Sequence, residues 1–188
     1  MPTYHADGVV LRRGNFGEAD QIVTLLTRYH GKVSAVAKGV RRMGSRKGGN
    51  LDLLNHVKVY LAEGKNMDII TEVELVSAWP RLKEDLNKVA VSYQVIELAN
   101  EFVSERQENK DVFDLTLAAL GFLEEGDRPE QTLAVYQVKL LDIVGFQPEL
   151  SKCVRCGKVL EPEGLALSPA LGGVIGPEER EEDALAWG

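Results

Sequence analysis

The residues best suited to chemistry lie in one short basic segment. From position 38 to 47 the chain has five basic side chains and no acidic one: Lys38, Arg41, Arg42, Arg46 and Lys47. Glycines at positions 44, 48 and 49 predict a mobile backbone. A mobile basic loop can follow a phosphate backbone, where each neutralised phosphate releases counterions. The segment therefore predicts nucleic-acid binding of low sequence specificity; the alternative is a solvated hairpin loop kept soluble by its charge.

Three further cations are predicted to extend this basic track. Lys32 lies on the outward side of the strand that leads into the segment, and Arg12 and Arg13 end the first predicted strand. Arginine also stacks on bases, so an arginine-rich segment favours single strands. This half of the chain has five aromatic residues: Tyr4, Phe16, Tyr29, Tyr60 and Trp79. The sequence does not show which of them belong to the core and which could stack on bases.

A cysteine pair forms a second pattern. Cys153-Val154-Arg155-Cys156-Gly157 has the spacing of a zinc knuckle, in which two thiolates converge on one ion. A structural zinc needs four ligands, and the chain has no third cysteine, while its histidines lie far away at positions 5, 30 and 56. A redox-active pair and a zinc shared between two copies are the alternatives. A thioredoxin-like βαβ context is missing. We therefore predict no metal and no other cofactor.

Sequence motifs of the common enzyme classes are not found. The chain has no P-loop, no dinucleotide fingerprint after a strand, no H-E-x-x-H and no nucleophile elbow. Acidic residues are numerous, but no pair of them stands out by its spacing. We expect a binding protein rather than an enzyme.

Five segments of strand character must position the basic segment. Each alternates apolar and polar side chains, as half-buried antiparallel strands do, over residues 4–13, 21–29, 32–40, 57–61 and 67–76. A turn is predicted at residues 14–17. Five strands in this length fit a small barrel. The OB-fold is the commonest candidate, and an SH3-like barrel has similar strand statistics.

Helical spacing replaces this alternation after Pro80. Three apolar stripes are predicted, each on one face of a helix: Val91, Val95, Leu98 and Phe102; Val112, Leu115, Ala119 and Phe122; Leu133, Tyr136, Leu140 and Val144. We therefore predict an α+β multidomain chain. Its parts are a five-stranded OB-fold nucleic-acid-binding domain over residues 1–80 and an α-helical bundle domain over residues 81–188, with a degenerate zinc knuckle inserted at about 150–180.

Charge separates the same two parts. Residues 1–80 have 11 Lys and Arg against 8 Asp and Glu, a net +3, whereas residues 81–188 have 11 against 21, a net −10. Chance clustering of surface charge is one explanation, and two modules with different partners is the other. The chain shows neither a secretion signal nor an apolar run of membrane-spanning length, so we expect a cytoplasmic location.

Three stretches together resemble the RecO family of bacterial recombination mediators. They are Gly8 to Leu11 continuing through Gly17 to Val23, then Ala37 to Arg42 with Ser45 and Arg46, and finally Leu140 to Leu150 followed by Cys153, Cys156 and Gly157. They span nearly the whole chain in the order of that family.

The resemblance implies a DNA-repair function without catalysis. It implies an N-terminal OB-fold, a C-terminal helical domain with a zinc finger, binding of single- and double-stranded DNA, and annealing of complementary strands. It implies RecR and the C-terminal tail of single-strand-binding protein as partners in loading RecA, near the nucleoid. The alternatives are a protein–protein adaptor and an RNA-binding OB-fold protein.

The chain departs from the family pattern at the zinc finger. Gly176 and Glu179 stand where the second cysteine pair of the family follows two glycines, which puts zinc in doubt. The chain also ends at Gly188, where members of the family continue with further helix.

Overall fold

The computed structural model describes residues 2–42, 45–161 and 163–178. The chain forms two compact units, residues 1–136 and residues 137–188. The domain boundary predicted near Pro80 falls inside the first unit and stays a prediction.

The first unit begins with a closed five-stranded barrel. Its strands are β1 (Thr3–Phe16), β2 (Asp20–Thr27), β3 (Gly31–Ala37), β4 (His56–Ala62) and β5 (Asp68–Ser77). They close in the order β1-β2-β3-β5-β4, and β3 pairs with β5 in parallel while the other pairs are antiparallel. This order confirms the predicted OB-fold over the SH3-like alternative. A short helix, α1 (Arg46–Asn50), lies between β3 and β4.

The predicted alternation supplies the barrel core. Inward positions of β2, β3 and β4 are fully buried, among them Val23, Leu25, Val33, Val57 and Val59. The turn predicted at residues 14–17 was wrong in its extent: residues 14–16 continue β1 and pair with residues 20–22 of β2. The turn itself needs only residues 17–19, because Gly17 adopts a left-handed φ of 61°.

Four helices follow the barrel: α2 (Pro80–Glu84), α3 (Leu86–Phe102), α4 (Lys110–Glu125) and α5 (Pro129–Ile143). Asp85 caps α3 by accepting hydrogen bonds from the N–H groups of Asn87 and Lys88, and Asn109 caps α4 through Val112. A barrel followed by helices confirms the predicted fold class.

Two predicted helix stripes were wrong at their C-terminal ends, and the first ends at Phe102 on α3, which is 38% exposed. Phe122 on α4 is 68% exposed, whereas Phe113, Leu120 and Leu123 are buried. The buried face of α4 is rotated because this helix contacts both the barrel and α2–α3. Phe113, for example, lies edge-on to His56 of β4.

The second unit contains a two-stranded sheet of β6 (Ala166–Ser168) and β7 (Gly173–Ile175). Its small core consists of Cys153, Ala166 and Ile175, with Val154 and Leu160 packed against it. None of the helices in the described parts of the chain is long and apolar enough to cross a membrane.

Candidate nucleic-acid interface

The start of the basic segment is fixed to the tip of the β1–β2 hairpin. The N–H of Arg41 donates to the carbonyl of Ala19 at 3.0 Å, and the N–H of Gly39 donates to a carboxylate oxygen of Asp20 at 2.7 Å. Val40, between them, is buried in the barrel core. The backbone on either side of Val40 is therefore fixed, and the side chain of Arg41 is exposed.

Three predicted cations gather at this hairpin tip. Lys38, Arg41 and Arg42 are all exposed. Arg41 Nη1 donates a long hydrogen bond of 3.5 Å to the carbonyl of Gly17. Exposed cations on a fixed backbone can meet phosphates without first breaking an ion pair, which favours electrostatic binding.

The second half of the segment is helical rather than mobile. Residues 46–50 form α1, and the expectation of a mobile backbone at Gly48 and Gly49 was wrong. A Cβ on Gly48 would lie 3.0 Å from the carbonyl oxygen of Val40, so this glycine permits close packing of α1. Lys47 Nζ donates to the carbonyl of Thr71 on β5. Gly44 and the side chain of Arg46 lie outside the described residues.

The remaining predicted cations lie away from the hairpin tip, and two of them, Lys32 and Arg13, have partners of their own. Lys32 Nζ donates to the carbonyl of Asn100 at the end of α3, at 2.6 Å. Arg13 forms an ion pair with Asp52 at 2.9 Å. Arg12 lines a cavity of about 390 Å³ between β1 and α3. Binding of a phosphate by Lys32 or Arg13 would have to replace these contacts.

The structure shows which aromatic residues of the barrel have partners inside the protein and which are exposed. Tyr4 is tied to the buried Asp68, and the indole N–H of Trp79 donates to the carbonyl of Leu54 at 2.9 Å. Phe16, Tyr29 and Tyr60 are exposed. Phe16 is the one that lies at the hairpin tip. The sequence prediction missed its placement because residues 14–16 were assigned to a turn; extending the predicted strand by three residues would have placed Phe16 on β1.

The cysteine pair keeps the backbone of a knuckle. The N–H of Gly157 donates to the carbonyl of Cys153 at 2.8 Å, and the N–H of Cys153 donates to the carbonyl of Lys158 at 2.9 Å. Backbone N–H groups of Cys156 and Gly176 point at the Cys153 thiol and lower its pKa. The backbone N–H of Gly176 therefore lies next to the Cys153 thiol, at the position where the family has a cysteine.

A structural zinc ion does not fit the donor set of this knuckle. Cys153 and Cys156 supply two ligands of the four that such a site requires. Within the described residues, no group of three or more His, Cys, Asp and Glu side chains could hold a metal. Glu179 lies outside those residues. The expectation of a metal-free knuckle stays a prediction.

Comparisons with known proteins assign both parts of the chain to one family. Residues 1–79 match the family described as "Recombination protein O N terminal", and residues 83–187 match "Recombination protein O C terminal". The break between the two matches falls close to Pro80.

Several relatives are more than one third identical to this chain over the aligned residues. "DNA repair protein RecO" of Symbiobacterium thermophilum is 40% identical over 97% of this chain and 73% of its own length. The proteins of the same name from a Roseiflexus species and from Cutibacterium acnes are 36% and 37% identical over 97% and 93% of this chain. The chain spans 64% of the length of the Roseiflexus protein and 73% of the Cutibacterium one.

Proposed function

The chain belongs to the RecO family, and on that premise we propose that it is a non-catalytic mediator of DNA repair and recombination that binds DNA at the tip of the β1–β2 hairpin. The observation that carries the proposal is the group of exposed cations at Lys38, Arg41 and Arg42, fixed there by the backbone bonds to Ala19 and Asp20. Loops and strand faces at this part of an OB-fold are where oligonucleotides bind in other proteins.

The remaining predicted cations have secondary roles in this proposal. Arg46 and Lys47 follow the hairpin-tip cations in α1 and would contact the same DNA strand further along. Arg13 and Lys32 would bind only a ligand that replaces their present contacts, and Arg12 would contact DNA beside Arg13 on β1. The DNA is bound as single strands and as duplex, and complementary strands are annealed.

The two predicted domains divide the work. Residues 1–80, with a net charge of +3, bind DNA, and residues 81–188, with a net charge of −10, bind protein partners. An acidic surface repels phosphates, which supports protein docking there. RecR and the C-terminal tail of single-strand-binding protein are the partners we propose, in a cytoplasmic, nucleoid-associated pathway that loads RecA.

Binding and annealing by the wild-type chain test this proposal. We expect salt-dependent binding to labelled single-stranded and duplex DNA, and faster annealing of complementary strands than occurs spontaneously. Binding without annealing would contradict the mediator role. A clear preference for RNA would favour an RNA-binding protein, and no binding to any nucleic acid would favour an adaptor.

A further inference from the structure

The outer surface of the barrel carries one exposed aromatic ring at the hairpin tip. Val23 and Leu25 of β2 point into the core, so their neighbours Ile22 and Thr24 point outward. Ile22 pairs with Gly14, and Thr24 pairs with Arg12, which places the even-numbered residues of this part of β1 on the outer face. Phe16 continues that series and is 49% exposed.

The surface beside this ring is apolar and open. Across the strands, Gly14 pairs with Ile22 and Ile22 pairs with Val36. A Cβ added to Gly14 would meet no atom within 4 Å, so nothing from the described part of the chain covers this position. Val36 is only 8% exposed, so the accessible part of this surface consists of Phe16, Gly14 and Ile22, and we call it the outer strip.

Cations border the outer strip on the side of the basic segment. Lys38 follows Val36 by two residues, and Arg41 contacts the carbonyl of Gly17, the residue directly after Phe16. Two carboxylates lie nearby. Asp20 already accepts the N–H of Gly39, and Glu18 is exposed in the turn. An aromatic face with two neighbouring cations matches a nucleotide, whose base and phosphate are separate contacts.

We propose that Phe16 stacks on an unpaired base, while Lys38 and Arg41 bind the phosphates on either side of it. This inference rests on the proposed DNA-binding function and adds to it a contact at the hairpin tip that only a single strand can make. Paired bases are stacked inside a duplex and cannot reach the ring, whereas every unpaired base offers a π face. Binding through Phe16 is therefore selective for single strands and indifferent to sequence.

Equilibrium binding by Phe16→Ala tests the proposal. We expect affinity for single-stranded DNA to fall about 5- to 100-fold, the range for loss of one base–aromatic stack. Duplex affinity should change less than about 2-fold, and the salt slope should not change, because stacking neutralises no phosphate. Phe16→Trp should restore the affinity, and its fluorescence should be quenched by single-stranded DNA.

Tyr60→Ala is the matched control. Tyr60 is also 49% exposed on the outer face of the barrel, but it lies on β4 between His5 and Glu72, away from the hairpin tip. We expect this variant to bind single strands like the wild type. Thermal unfolding of both alanine variants verifies that they are folded.

The outcomes separate this inference from the proposed function. Wild-type binding with an unchanged Phe16→Ala variant would overturn the stacking proposal and leave DNA binding intact. An equal loss of single-strand and duplex affinity in Phe16→Ala would also overturn it, because stacking is selective for unpaired bases. Failure of the wild type to bind DNA would contradict the proposed function itself.

Discussion

One buried carboxylate joins residues that are far apart in the sequence. Asp68 at the start of β5 accepts hydrogen bonds from the Tyr4 hydroxyl and from Arg106 Nη2, the latter at 2.6 Å. Burial alone would raise the pKa of Asp68, but these donors outweigh burial and lower it. Burial and the bond to Asp68 raise the pKa of Tyr4 to about 12, so its hydroxyl stays a donor. The three side chains thus fix β1, β5 and the segment after α3.

Asp68→Asn should destabilise the protein at neutral pH. We expect a loss of about 1–3 kcal/mol in the free energy of unfolding, because the ionised acceptor of two donors is removed. The loss in unfolding free energy should lie in the lower part of that range. The side chain of Arg106 is 50% exposed, so solvent screens the charge of its guanidinium group. Denaturant unfolding measures this difference.

The difference in unfolding free energy between the wild type and Asp68→Asn should depend on pH in one direction. A carboxyl whose pKa is lowered by folding stabilises the folded state above its ordinary value, and the stabilisation is lost as the pH falls below about 4. The gap between wild type and Asp68→Asn should therefore shrink on acidification. Asp52→Asn, which removes only the exposed ion pair with Arg13, should cost no more than about 1 kcal/mol. Equal costs for the two variants would contradict the account.

The free edge of β3 explains why barrel and helices form one compact unit. Only residues 35–37 of β3 pair with β5, and Lys32 pairs instead with Glu105 of the segment after α3. Gly31, with a φ of 64°, lies against Gln107, and a Cβ there would be 2.1 Å from its carbonyl oxygen. The segment after α3 thus pairs with the part of β3 that β5 leaves unpaired. The ammonium group of Lys32 donates a hydrogen bond to the carbonyl of Asn100 in the same region.

The sequence predicted elements better than the contacts between them. Alternation along each strand located all five strands to within a few residues, because burial of one face leaves a direct pattern. The pairing of Lys32 with Glu105 could not be predicted, since it depends on how a segment some 70 positions later folds back. Phe122 was placed in the core for the same reason: spacing gives a stripe on α4, but the neighbours decide which face is buried.

The knuckle should hold its fold without metal. Val154 N–H donates to Val174 at 2.9 Å, Val174 N–H donates to Glu149 at 2.8 Å, and Cys153 is buried against Ala166 and Ile175. These contacts supply the cross-links that a zinc ion would otherwise supply. We expect elemental analysis to find well under one zinc per chain, and a chelator to leave the unfolding temperature unchanged. One tightly held zinc per chain would contradict this prediction.

At the scale of the whole molecule, we propose that the difference in charge directs DNA and protein partners to different parts of the chain. The net charge of −7 would discourage DNA binding if it were spread evenly, but three exposed cations, Lys38, Arg41 and Arg42, lie together at the hairpin tip. Local positive potential, rather than net charge, attracts a phosphate backbone. On our proposal, the net negative charge of residues 81–188 repels bound DNA from the surface that binds protein partners.

The salt dependence of single-stranded DNA binding by the triple variant K38A/R41A/R42A tests the central claim most directly. Each phosphate contact contributes about 0.7 to the log–log slope on single strands, so loss of three contacts should reduce the slope by about 2. The control is Lys58→Ala with Lys65→Ala, which removes two positive charges from exposed lysines of the same barrel away from the hairpin tip. A reduced slope in the triple variant with the control unchanged is the expected result. Wild-type affinity and slope in the triple variant would contradict the claim that DNA binds at the hairpin tip.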